Sequence, residues 1–176
     1  MSLLPPLPEG QVRAAVRAPA GVLSAVSVEV DPLDPDVVAL AADLLATQRA
    51  APGCVGLAAP QVGVSARVFS LDVTGHPKAR TCHGPLVLAN PVVVQATRWE
   101  RGREGCLSVP DLTGDVKRAT RLVLRGLVPG TGEALELTTD AFEARALQHE
   151  LDHLDGLLIL DRVAGAHGLH PRRDYL

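Results

Sequence analysis

The chain has 176 residues, of which 47% are hydrophobic, 21% charged and 2% aromatic, with a formal net charge of −3. This length and apolar content fit a single globular domain, residues 1–176, large enough to bury a core, and exclude disorder. The acidic balance and scarcity of rings argue against nucleic-acid binding, and no stretch reaches the roughly 20 consecutive apolar residues of a membrane span.

Residues 1–21 carry Pro5, Pro6, Pro8 and Pro19 and read as a loosely structured lead-in. Those prolines interrupt the apolar run that a secretory leader needs. Cys54, Cys82 and Cys106 are too few, and odd in number, for a disulfide framework, so reduced thiols in a cytoplasmic protein are expected. A first helix is predicted over about Pro35 to Ala50, capped by Asp34 with Pro35 at its first position and Val38, Leu40, Ala41, Leu44 and Leu45 at helical spacing. Strands are predicted at residues 66–73, 86–95, 119–128 and 134–139, bounded by Gly, Pro and Asp. Residues 111–117 are read as a loop, and 129–133 as a turn.

A second helix is predicted over about Asp140 to Leu154, with Asp140 and Glu143 at capping-box spacing and Gly156 as its stop. Leu147, Leu151, Leu154 and Leu158 form its core stripe, whereas Phe142, Ala146, His149 and His153 share another face. Strands followed by this helix imply an α+β fold: mixed or antiparallel strands packed around a central His-bearing helix, with an N-terminal helix. The tail, residues 163–176, shows no long helix, and its His167 and His170 are expected to be solvated.

The segment His149-Glu150-Leu151-Asp152-His153 has the HExxH spacing. Two imidazoles at i and i+4 lie one above the other and can grip one metal ion, with the intervening Glu near its water. The competing reading is two surface histidines on an acidic helix. A catalytic metal needs a third protein ligand, and no His or Glu lies suitably downstream. Upstream, Cys106 in Glu104-Gly105-Cys106-Leu107-Ser108 stands out, although a lone Cys is more often a small buried hydrophobe.

Three segments together, Gly56-Leu57-Ala58-Ala59-Pro60-Gln61-Val62-Gly63, Glu104 to Ser108 and Gln148 to His153, resemble the peptide deformylases of bacteria and organelles. The likeness runs from the first helix to about Asp161-Arg162. It implies a hydrolase that removes the formyl group from N-terminal formyl-methionine of nascent peptides, at or near the ribosome. It also implies one divalent ion, ferrous iron with Zn2+ or Ni2+ as substitutes, held by Cys106, His149 and His153, and attack by hydroxide at that ion. Glu150 would be general base and then acid, with Gln61 and the Leu107 amide donating to the oxyanion. Val55, Gly56, Gly105, Phe142 and Ala146 would line the substrate cleft, with simple core packing as the other reading for Phe142. Glu104 and Arg118 would form a bracing ion pair, and Asp152 would either orient a ligand or lie at the surface. A monomer is the default.

The sequence departs from the family at Cys54, where the first motif ordinarily has Gly; a thiol there narrows the cleft. Other readings are a deformylase-like protein that acts on another formylated substrate or only binds, and an HExxH metallopeptidase, which would call for a downstream ligand.

Overall fold

The computed structural model describes residues 3–173. The tail residues 174–176, Tyr175 included, lie outside that range, as do Met1 and Ser2. Helix α1 spans Pro35–Ala50, and the Asp34 side chain accepts from the Asp36 N–H at its N-terminus. Strands β1 (Gly56–Ala58), β2 (Val68–Leu71), β3 (Leu86–Cys106), β4 (Val109–Leu127) and β5 (Ala134–Asp140) pair in that order, all antiparallel. Helix α2 (Ala141–Leu154) follows, then the short α3 (Ile159–Arg162) and β6 (Leu169–Pro171), which pairs with β4. The fold is α+β with an antiparallel sheet. Among the described residues no helix is long and apolar enough to cross a membrane.

The sheet holds the two long helices apart on opposite faces. In β2 every residue is buried, and alternate side chains enter different cores. Phe69 and Leu71 join Leu147, Leu151 and Leu154 of α2, whereas Val68 joins Leu40, Leu44 and Leu45 of α1. The start of β3 repeats this, with Leu86 and Leu88 on the α2 side and Val87 and Ala89 on the α1 side. Ser70 faces α1 and satisfies its hydroxyl on Gln48 Oε1 at 2.6 Å. Fully buried strands of this kind read as continuous apolar runs, which is why 66–73 and the start of 86–95 were legible.

The outer hairpin was not. β3 runs to Cys106 and β4 begins at Val109, so the expected loop at 111–117 is a strand, paired with β3 and in part with β6. Residues 92–101 of β3 are mostly exposed, with Trp99 54% accessible. They carry no apolar alternation because they have almost no core to face. The tail likewise does more than trail: β6 pairs Leu112 with Pro171 and Gly114 with Leu169, and His170 Nε2 lies 2.8 Å from Asp115 Oδ2. His170 is therefore not simply solvated, whereas His167 is exposed.

The expected capping box at α2 does not form. Asp140 Oδ1 accepts instead from the Thr81 N–H at 3.1 Å, and the buried Glu143 accepts from the His83 N–H at 2.8 Å. Both carboxylates hook the 72–85 loop onto the helix. The lead-in has no regular structure before residue 18 but is tied down: Arg13 N–H donates to Thr47 Oγ1, Val16 N–H to the Gln61 carbonyl and Ala18 N–H to the Ser108 carbonyl.

Gly156 ends α2 with φ of +75°, and a Cβ there would lie 2.8 Å from the Ser24 carbonyl oxygen. Gly156→Ala is therefore strained in both backbone and packing and is expected to lower stability by about 1–3 kcal/mol. Urea unfolding checks this; a variant as stable as the parent would refute it.

Candidate metal centre

The end of β3 and one face of α2 meet below the hairpin turn. A register shift between Gly105 and Cys106 breaks the ladder at the last residue of β3. Cys106 Sγ thereby comes within 3.4 Å of His153 Nε2, and His153 Nε2 lies 3.2 Å from His149 Nε2. All three ligand atoms lie within 4.8 Å of one another on buried residues. A tetrahedral ion with Zn–S near 2.3 Å and Zn–N near 2.05 Å would set S···N at about 3.6 Å and N···N at about 3.3 Å. The two contacts through His153 match those edges and the third separation is no more than 4.8 Å, a donor set close enough to hold one divalent ion.

The His149 ring is oriented from behind. Its Nδ1 lies 2.9 Å from Glu104 Oε2, leaving Nε2 to face the cluster. Glu104 is itself gripped by Arg118 at 3.0 and 2.9 Å and by Arg145 at 2.9 Å. Arg118 reaches on to Asp152, which also binds Arg162 at 2.7 and 3.0 Å. Arg118, Glu104 and Asp152 are all buried, so the surface alternative for Asp152 does not hold. Burial alone would raise the Glu104 carboxyl, but hydrogen bonds from His149 and Arg118 hold it down at about 2. Burial and the neighbouring His149 together depress His153 well below the usual imidazole range, whereas at His149 burial acts in the same sense but hydrogen bonds to Cys106 and Glu104 outweigh it and hold the ring well above that range.

Glu150 sits on α2 between the histidines, 3% exposed. Burial pushes its carboxyl up to about 7, with the His149 charge opposing and Glu104 adding to the rise. Its Oε2 has no hydrogen-bond partner among the described residues, and a Cβ on Gly56 would collide with its Oε1. Only glycine at 56 lets the β1 backbone lie this close to the carboxylate.

Gln61 occupies a 3-10 turn, Ala59–Val62, that follows β1 and closes at Gly63, whose φ is +84°. Its Oε1 accepts from the Ala58 N–H at 3.0 Å, which fixes the amide so that Nε2 faces Cys106 Sγ at 3.5 Å and Ser108 Oγ at 3.3 Å. A cleft of about 180 Å³ opens beside these groups. Val55, Gly56, Gly105, Leu107, Phe142 and Ala146 all lie on its wall.

Cys54 also lines the cleft, but its Sγ donates to the Gly56 carbonyl at 3.1 Å and burial pushes its thiol up to about 12. It stays outside the three-ligand cluster. Cys82 is exposed, near Thr74.

Four basic side chains on the cleft wall escaped the sequence reading: His76, Arg103, Arg145 and Arg172. His76 belongs to an irregular loop and Arg172 follows β6, so neither has a local pattern. Arg145 had a findable signal, since it stands four residues before His149 on α2.

The polypeptide deformylase family profile matches residues 12–167. A peptide deformylase from Desulforudis audaxviator is 42% identical over 149 residues, covering 84% of this chain and 91% of that one. One from Pelotomaculum thermopropionicum is 40% identical over 146 residues, covering 83% and 88%. Among solved structures, peptide deformylase from Ehrlichia chaffeensis superposes with a TM-score of 0.81 at 31% identity, covering 88% of this chain and 89% of that one. The Met-Ala-Ser-bound deformylase of Acinetobacter baumannii superposes with a TM-score of 0.76 at 32% identity, covering 86% and 98%.

Arg118→Met would leave Glu104 and Asp152 without their shared cation. Removing one partner from buried ion pairs costs about 3–5 kcal/mol, so a large fall in melting temperature is expected; an unchanged Tm would show that the network contributes nothing.

Proposed function

The chain belongs to the polypeptide deformylase family, whose reaction is removal of the formyl group from the N-terminus of nascent peptides, and on that premise we propose a role for each residue around the cleft. The observation that carries the assignment is the convergence of Cys106 Sγ, His149 Nε2 and His153 Nε2 beside the buried Glu150 carboxylate, whose Oε2 has no partner among the described residues.

Cys106, His149 and His153 hold the metal. When bound, a divalent ion supplies Lewis acidity: it lowers the pKa of water from 15.7 to about 7 and polarises the formyl oxygen. Ferrous iron is our assignment for the resident ion, with Zn2+ and Ni2+ as substitutes; the S,N,N donor set suits all three.

Glu150 takes the proton from the attacking water. A carboxyl raised to about 7 is balanced to accept a proton and return it near neutral pH. The peptide amine is a poor leaving group unless protonated, and Glu150 delivers that proton as the C–N bond breaks. Before that, as the water attacks, negative charge gathers on the former formyl oxygen. Gln61 Nε2, pre-aimed by the Ala58 amide, and the Leu107 N–H donate to it, each such donor contributing about 2.7–4 kcal/mol. Gln61 Nε2 would share or give up its bonds to Cys106 Sγ and Ser108 Oγ as the charge develops.

The peptide itself enters as an extended strand along β1. That strand ends the sheet order, with β2 on one side and, among the described residues, no further strand on the other. Gly56 and Ala58 keep the approach close. Cys54 already donates to the Gly56 carbonyl, so an added strand shares or displaces that bond. The methionine side chain then meets Val55, Gly105, Phe142 and Ala146, a wall with one ring and otherwise small groups that suits a flexible thioether.

Protein prepared anaerobically with iron or nickel should release formate from formyl-Met-Ala-Ser, and absence of turnover would sink the reading. Cys106→Ala is expected to lose the metal, read by metal content after gel filtration. Glu150→Gln should keep metal yet lose rate by about 10²–10⁴-fold. Metal retained by Cys106→Ala would overturn the ligand set, and full rate in Glu150→Gln would overturn the base. Gln61→Ala should cost about 10²–10³ in kcat.

A further inference from the structure

The 72–85 loop between β2 and β3 has no regular structure, yet it is held at both ends of its cleft-facing stretch. Val73 is buried, and its carbonyl accepts from the His76 N–H at 3.0 Å. The far end is hooked to α2 through Thr81 on Asp140 and His83 on Glu143, whose carboxylate is fully buried. Between these anchors His76 lies flat on Phe142, with ring centroids 3.6 Å apart and planes 4° from parallel. Both rings line the same cleft as Cys106, His149 and Glu150.

The tautomer of His76 is set by its own loop. Nδ1 accepts from the Lys78 N–H at 3.2 Å, so in the neutral ring the proton sits on Nε2. That Nε2–H has no partner among the described residues. Partial burial and the Lys78 charge lower the pKa of the ring, which favours this neutral form. The result is an oriented donor on a rigid aromatic mount.

Its position along the cleft can be estimated. Phe142 precedes His149 by seven residues, about 10 Å along a helix. The methionine side chain reaches inward to Phe142, and an extended peptide advances about 3.3 Å per residue, so it is the backbone of the second or third residue that comes within reach of the His76 ring stacked on Phe142.

We propose that His76 is a further substrate-binding residue, whose Nε2–H donates to a peptide carbonyl downstream of the formyl-methionine while its ring completes the outer cleft wall over Phe142. This rests on the deformylase reading above. His76 contributes to holding the peptide and takes no part in the chemical step.

The test compares formyl-Met-Ala-Ser with formyl-methionine amide, which lacks the downstream carbonyls. His76→Phe keeps a stacked ring without the donor, and His76→Ala removes both. For the tripeptide, KM should rise about three- to tenfold in both variants, the size of one net hydrogen bond, with kcat unchanged. For the amide, His76→Phe should match the parent. Wild-type kinetics of His76→Phe on the tripeptide would overturn the proposal, as would an equal KM increase on both substrates. Calorimetric binding of unformylated Met-Ala-Ser, expected to weaken by the same factor in His76→Phe, reads His76 without turnover. A parent protein that fails to release formate would therefore defeat the deformylase reading without deciding the fate of His76.

Discussion

Arg118 is the point at which the hairpin and the histidine helix become one object. Its guanidinium, 3% exposed, spans from Glu104 on β3 to Asp152 on α2. A buried cation between two carboxylates is costly to assemble and costlier to disrupt. What it supplies here is geometry. Glu104 can accept from His149 only because Arg118 and Arg145 hold it in place and keep it ionised. Asp152 stands one residue before His153 and fixes the last turn of α2 against β4 through the same cation. The histidines are thus positioned by a chain of ion pairs that runs from the cleft wall at Glu104 and Arg145 to Asp152 and Arg162 behind it.

Glu150 and Gln61 are held differently. Gln61 uses its oxygen on the backbone, which aims its amide hydrogens at Cys106 Sγ and Ser108 Oγ beside the cleft. Glu150 is buried, pushed up to about 7, and retains an oxygen with no partner among the described residues. An unsatisfied buried oxygen is destabilising in the resting protein, and such groups persist where a reaction uses them. The Gly56 backbone lies against this carboxylate, so close that a Cβ would collide with it.

The sequence was most informative where one residue answers to one local rule. Helix α1 follows from Asp34, Pro35 and the spacing of Leu40, Leu44 and Leu45. The shared face of Phe142, Ala146, His149 and His153 follows from 3.6-residue periodicity, and the cleft is indeed built on that face. The illegible parts depend on distant partners. The outer half of β3 has no buried face to imprint a pattern. Asp140 and Glu143 matched a capping box, but tertiary donors from Thr81 and His83 outcompeted the helix's own N–H groups. β6 exists because the tail returns to the edge of β4, which nothing in Leu169 to Pro171 announces. The position of Cys54 was readable from the motif, but its bond to the Gly56 carbonyl was not.

The hooks at Asp140 and Glu143 also bear on motion. Because these carboxylates secure the 72–85 loop rather than the helix's own end, α2 begins without side-chain capping, from an Ala141 with φ of +48°. The loop and the first turn of α2 consequently share their restraints and open as one unit. Transient fraying of the helix would swing the His76–Phe142 wall aside and widen the exit from the cleft. The ligand-bearing turn at the opposite end, braced by Arg118 and Arg162, would stay closed. The two ends of a single helix are thus restrained by different elements, the loop at one and the buried ion pairs at the other.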